Sequence, residues 1–228
     1  MWPWLTGRCK LLQMKRFVIL LAVLPTTLLA GKSDPGAPFI AADEAYDKDI
    51  QANGEWAAAF RLALPQSETF VPQRVKVLEL GKGRSAPPPR RIKPEHAWVS
   101  CDGTVGVTVG SWRLPDTSYQ GWYESIWVKM EDGSYKILLR RAQTKGPKLY
   151  SQPGRKGMRA ACTGKAPPLP IVAPDVGTDF KMGASHDQTL IWSSAVSAKG
   201  AVRIVISIWN GKTFDPVLED VALPPAPR

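Results

Sequence analysis

The chain has 228 residues, 44% of them hydrophobic and 22% charged, with a formal net charge of +10. That length suits one sizeable domain with an appendage, or two small ones. A positive balance permits contact with anionic surfaces, but no aromatic platform is interleaved with the cations, which argues against a nucleic-acid partner.

The chain begins as a secretory leader. Lys15-Arg16 precede the apolar run Phe17–Leu24, and Pro25 and Ala30 follow. The run is shorter than the ~20 residues a bilayer span needs. Residues 1–30 therefore read as a signal peptide, with translation beginning at Met1 or at Met14. No cysteine follows the apolar run, and no later segment is apolar enough for a membrane helix, so no stable membrane insertion is expected after cleavage. The product is expected in the periplasm or outside the cell of a bacterium. The leader carries Arg8, Lys10, Lys15 and Arg16 and no acid, so its removal lowers the formal charge from +10 to +6. It also removes Cys9 and leaves Cys101 and Cys162. In an oxidising compartment that even pair reads as a disulfide. The bridge closes a loop of about 60 residues and contributes on the order of 4 kcal/mol in the chain-entropy view.

Residues 31–37 form a polar spacer. A helix is predicted from Pro38 to Ala52, with Phe39, Ala42, Tyr46 and Ile50 on one stripe and acids on the other faces. Asn53-Gly54 stops it. A shorter helix carries Trp56, Phe60 and Leu64 on one face, and Pro65 ends it. Phe70-Val71 and Val75–Leu80 read as short strands, and Gly81–Pro94 as a proline-rich loop. A four-stranded antiparallel meander then follows: His96–Cys101, Thr104–Arg113, Gly121–Met130 and Tyr135–Arg141, with tight turns at Asp102-Gly103 and Asp132-Gly133. Tyr135, Ile137 and Leu139 alternate on one face of the last strand. The basic stretches Arg84–Lys93, Arg140–Lys148 and Arg155–Arg159 read as solvated loops, since each bears Pro or Gly. Binding of anionic envelope polymers through them is a further reading.

Gly146–Gly183 is predicted as loop. Strands return at Thr189–Val196, Ala201–Trp209 and Thr213–Leu218, either extending the main sheet or forming a small lobe. Residues 222–228 form a Pro-rich tail. No internal repeat stands out.

Asn53-Gly54-Glu55-Trp56 with Phe60, then Phe70-Val71-Pro72, Trp98–Gly103 and Trp127 through Asp132-Gly133-Ser134-Tyr135-Lys136-Ile137 occur in an order that resembles the nuclear-transport-factor-2-like superfamily. That superfamily includes ketosteroid-isomerase-like and SnoaL-like proteins, and the chain is also similar to exported bacterial proteins with a Ser-Cys-Asp-Gly turn. The resemblance spans residues 38–145 and leaves 146–221 as a loop-rich and β-hairpin extension. It implies an α+β fold: a cone-shaped barrel of two or three N-terminal helices on a curved antiparallel sheet, with a β-rich C-terminal extension. It also implies an open pocket, used in the superfamily for catalysis or for small ligands.

Chemistry is sparse. His96 and His186 have no acid or cysteine at ligand spacing, so no metal site is expected. Ser111 and Ser185 lack a nucleophile elbow. Gly81-Lys82-Gly83-Arg84 is not followed by a helix and is no phosphate loop. No catalytic residue and no cofactor is assigned. Tyr46 with Asp43 or Asp47 is the nearest set to an isomerase- or hydrolase-like site, against the plainer reading that Tyr46 packs in the core and the acids face water. Aromatic residues are the remaining resource. Tyr46, Trp56, Trp98, Trp112, Tyr123 and Trp127 are candidates to line a pocket for a small apolar ligand, unless they only fill the core. A partner protein, a second copy of this chain among them, is the other candidate occupant. A non-enzymatic binding or structural module is the expected function.

Overall fold

A computed structural model describes residues 34–82 and 85–224. The predicted leader, residues 31–33 of the spacer and the end of the tail lie outside those residues. Asp34 onward forms one compact unit of two helices and two β-sheets. Helix α1 spans Ala37–Asn53 and α2 spans Glu55–Leu62. Gly54 separates them at φ 85°, a conformation glycine adopts without a Cβ penalty.

Twelve strands follow: β1 Ala63–Val71, β2 Gln73–Lys76, β3 Arg91–Val99, β4 Val105–Arg113, β5 Gln120–Lys129, β6 Tyr135–Gln143, β7 Lys148–Leu149, β8 Met158–Arg159, β9 Asp179–Ala184, β10 Leu190–Val196, β11 Val202–Trp209 and β12 Phe214–Ala222. The first sheet runs β2-β1-β6-β5-β4-β3-β8 and the second β7-β12-β11-β10-β9. The predicted meander is β3 to β6, all antiparallel. The sheet as a whole is mixed rather than antiparallel, because β1 joins β6 and β8 joins β3 in parallel.

The helices cover one face of the first sheet and the second sheet covers the other. Phe39, Tyr46, Ile50, Val99, Trp127 and Ile137 form the helix-side core. Val105, Val107 and Val109 of β4 meet Leu190, Ile204 and Ile206 in the core between the sheets. The period-2 pattern of β4 explains this directly, since alternate residues face opposite layers. Its other face is trimmed to glycine where α1 docks. A Cβ on Gly106 would lie 2.5 Å from the Phe39 ring.

Three expectations are corrected here. Pro65 lies within β1 rather than ending α2, since β1 begins at Ala63. β3 begins at Arg91, inside the expected proline-rich loop. It accommodates Pro94 because that end of the strand is paired on one side only and the register shifts between Pro94 and His96. β6 does not alternate evenly. Ile126 pairs with Leu139 while Trp127 pairs with Ile137, which leaves Leu138 as a bulge. The bulge shifts the phase of the strand, so Ile137 faces the helices and Leu139 faces the second sheet.

The C-terminal strands form a separate sheet stacked on the first, not its extension, and β7, β8 and most of β9 lie within Gly146–Gly183, where the sequence predicts loop. The two sheets repeat a device. Ser100-Cys101-Asp102-Gly103-Thr104-Val105 and Ser185-His186-Asp187-Gln188-Thr189-Leu190 each open the second strand of a four-stranded meander. In both turns the Asp Oδ1 accepts from the Ser hydroxyl, the Thr N–H and the Thr hydroxyl. In both, the Ser hydroxyl accepts from the N–H five residues on. The turns also grip each other. Asp102 N donates to Asp187 Oδ2 at 2.7 Å and Asp187 N donates to Asp102 Oδ2 at 3.3 Å. The reading of no internal repeat is thus corrected: one hairpin turn occurs twice and meets itself. The Cys101–Cys162 disulfide fastens the first of these turns to the loop after β8.

Candidate functional site

A cavity of roughly 380 Å³ opens between α1, α2, β1, β6 and the segment 85–90. Trp56, Ala59 and Tyr46 come from the helices, Phe70 from β1, and Val77 and Leu80 from the turn after β2. α2 delivers Trp56 and Ala59 to one side because residues three apart share a helix face. The volume falls within the range of small-ligand sites, which are mostly apolar with a few placed polar groups.

The polar floor is Arg140. The Leu138 bulge turns this side chain toward the helices, where its guanidinium lies 4.6 Å from the Tyr46 ring centre and 4.2 Å from that of Tyr123. Its Nη1 donates to Asp43 Oδ1 at 3.1 Å and to the Ser125 hydroxyl. Asp43 is wholly buried, and its Oδ2 accepts from the Tyr123 hydroxyl at 3.1 Å. Burial raises the Asp43 carboxyl above the ordinary aspartate range, and the adjacent Arg140 charge opposes part of that rise. Burial likewise pushes Tyr46 up to about 12 and Tyr123 well above the usual phenol range. All three groups therefore hold their protons more tightly than they would in water.

The mouth of the cavity carries a second cation. Arg90 holds Glu55 of α2 through Nε and Nη2, one nitrogen to each carboxylate oxygen, and its guanidinium lies 5.2 Å from the Trp112 ring centre. Beyond Arg90 lies a smaller hollow of roughly 260 Å³ against Trp112, Leu114 and Tyr119. Arg90, Pro87 and Ala142 border both spaces.

The six aromatic candidates do not share one pocket. Tyr46 and Trp56 line the larger cavity, and Trp112 the smaller. Tyr123 sits behind Arg140, fully buried. Trp127 is buried under the helices with its indole N–H on Thr108 Oγ1 at 3.0 Å. Trp98 faces the other layer, in the core between the sheets, with its N–H on Ser151 Oγ at 3.0 Å.

Arg140 and Arg141 belong to β6, as the predicted strand Tyr135–Arg141 has them, but they are largely shielded rather than part of a solvated basic stretch. Asp43 does not face water, where the plainer of the two readings puts it. It sits four residues after Phe39 and three before Tyr46, which puts it on the apolar stripe of α1, and that spacing was the available signal. Among the described residues, no cluster of His, Cys, Asp or Glu could hold a metal ion, and no helix is long and apolar enough to cross a membrane.

No family model matches the chain, and no curated protein matches it. Among solved structures, it is similar to a protein of unknown function from the DUF3225 family of Pectobacterium atrosepticum, at 16% identity and TM-score 0.39, over 49% of this chain and 91% of that one. It is also similar to a cystatin-like fold protein from Burkholderia xenovorans, at 13% identity and TM-score 0.38, over 49% of this chain and 92% of that one. A nuclear transport factor 2 (NTF2-like) superfamily protein from Salmonella enterica matches at 14% identity and TM-score 0.36, over 51% of this chain and 94% of that one. These are likenesses of fold over about half of the chain.

Proposed function

We propose that this chain is an exported, non-enzymatic binding module whose cavity at Tyr46, Trp56, Phe70 and Arg140 holds a small apolar ligand. The observation that carries the reading is the cavity itself: roughly 380 Å³ walled by aromatic and aliphatic side chains on a rigid sheet. The superfamily resemblance, which implies an open pocket, supports the same reading. Export is supported by the leader pattern and by the Cys101–Cys162 bridge, a bond at home in an oxidising compartment.

A binding role is favoured over catalysis by the state of the acids nearby. Glu55 is engaged by Arg90 through both oxygens. Asp43 is sealed behind Arg140 and Tyr123. Neither is a carboxylate poised against a bound substrate, as a general base must be. The second reading, an isomerase- or hydrolase-like enzyme using the Tyr46–Asp43 set of α1, is supported by the meeting of Asp43, Tyr46, Tyr123 and Arg140 in one cluster.

Titration of the full chain with the uncharged apolar dye Nile red tests the binding reading. Saturable one-to-one binding is expected, and Ala59→Trp, which fills the cavity, should abolish it. Absence of saturable binding, or binding unchanged by Ala59→Trp, would contradict the proposal.

A further inference from the structure

Two arginine side chains in this molecule hold a carboxylate in the same way. Arg61 grips Asp49 through Nε and Nη2, one nitrogen to each oxygen. Arg90 grips Glu55 through the same edge. This planar pair of parallel donors matches the two oxygens of a carboxylate, which gives the contact both strength and direction.

Arg140 carries the same edge unused. Its contacts to Asp43 and Ser125 are both made by Nη1. Nε and Nη2 donate to no described residue, and 12% of the side chain remains exposed. The Tyr46 and Tyr123 rings hold the guanidinium in place, Asp43 anchors its far side, and the side chain lines the apolar cavity. The only carboxylate among the cavity's described lining residues, Glu55, is already taken by Arg90. A rotationally fixed, half-satisfied arginine at the floor of an apolar space is preorganised for an anion supplied from outside.

We infer that the ligand of this cavity is an apolar monocarboxylate, its carboxylate received by Nε and Nη2 of Arg140 and its hydrocarbon body lying against Trp56, Phe70 and Leu80. The inference rests on the binding reading above and specifies the ligand's polar end. Nothing covalent is involved. The aromatic walls supply the non-directional part of the affinity, and the arginine edge selects carboxylate over an uncharged head of the same size.

The test compares two probes with the same chain, decanoate and decan-1-ol, titrated calorimetrically into the full chain at neutral pH. Decanoate is expected to bind about tenfold tighter or more, the scale of a charge-assisted pair over a neutral hydrogen bond. In Arg140→Gln the two affinities should converge. Arg140→Lys keeps the charge beside Asp43 without the paired donors, and should retain only part of the preference. Equal affinities in the unaltered chain would overturn the inference and leave the apolar cavity standing. Failure of both probes to bind would overturn the inference and the binding reading together. A preference that survives in a folded Arg140→Gln chain would move the anion site away from Arg140 and so contradict it.

Discussion

Arg140 and Arg141 are neighbours in sequence and opposites in environment. Arg140 faces the helices, shares its charge with one buried carboxylate and two aromatic rings, and opens onto a cavity. Arg141 faces the second sheet, where it meets two buried carboxylates, Glu124 and Asp220. Gln143 links Arg141 to Asp220 by accepting from Nη2 at 2.8 Å and donating to Asp220 Oδ1. A strand separates adjacent residues onto its two faces, and the Leu138 bulge decides which face each receives. One arginine is left with donors to offer, and the other is closed into the structure. The donors that a side chain leaves unengaged, more than its burial or charge, distinguish a binding group from a structural one.

The largest effect expected from breaking this pair is on stability, at Arg141. Arg141→Met leaves Glu124 and Asp220 buried without a cation, and removing one partner of a buried ion pair costs about 3–5 kcal/mol. Urea unfolding of the variant should show that loss. Arg140→Met leaves one buried acid rather than two, so it should cost distinctly less. Equal losses would erase the contrast between the two sites.

Glu124 sharpens the comparison through pH. It is fully buried, neither oxygen has a hydrogen-bond partner among the described residues, and burial pushes its carboxyl up to about 7 although Arg141 and Arg140 pull the other way. The folded state then binds this proton more tightly than the unfolded chain, whose glutamate titrates near the ordinary ~4.3. Between these values the folded state carries more protons, so stability falls as pH rises. The contribution is fully present below the unfolded value and is lost as pH climbs to about 7, a change on the order of 3 kcal/mol. Glu124→Gln should flatten this part of the stability profile. A wild-type profile already flat between those values would contradict the account.

The smallest effect is expected at the paired turns. Asp102→Ala and Asp187→Ala each remove hydrogen bonds within one turn and one contact to the other turn. Each should cost about 1–3 kcal/mol. Because the turns touch, the double variant should cost less than the sum of the two, as coupled neighbours do. Strict additivity would mean that the turns stabilise their sheets independently.

The legible parts of this fold were those with a local signature. Both helices, their break at Gly54 and the four central strands follow from periodicity and turn chemistry that a few neighbouring residues determine. The Leu138 bulge carries no such mark, because a one-residue register shift is settled by the partner strand. The even alternation of Tyr135, Ile137 and Leu139 therefore fails at Leu139, and the shielding of Arg140 and Arg141 is not visible in the letters. β7, β8 and β9 are short and lie within or beside proline-rich chain, so their strand character comes from pairing across the molecule. The repeated Ser-x-Asp-x-Thr turn was present in the letters, yet its meaning lies in the contact between the two copies. Of the site, Tyr46 and Trp56 were visible as aromatic residues on helix faces. Phe70, Arg90 and Arg140 join them only once β1, β6 and the segment before β3 are brought together.

The most direct test of the central claim is a crystal structure of this chain grown with decanoate. The account predicts ligand density between Trp56 and Phe70, with the carboxylate at hydrogen-bond distance from Nε and Nη2 of Arg140. Density elsewhere, or a cavity closed by repacking of Trp56 and Leu80 with no ligand present, would contradict it.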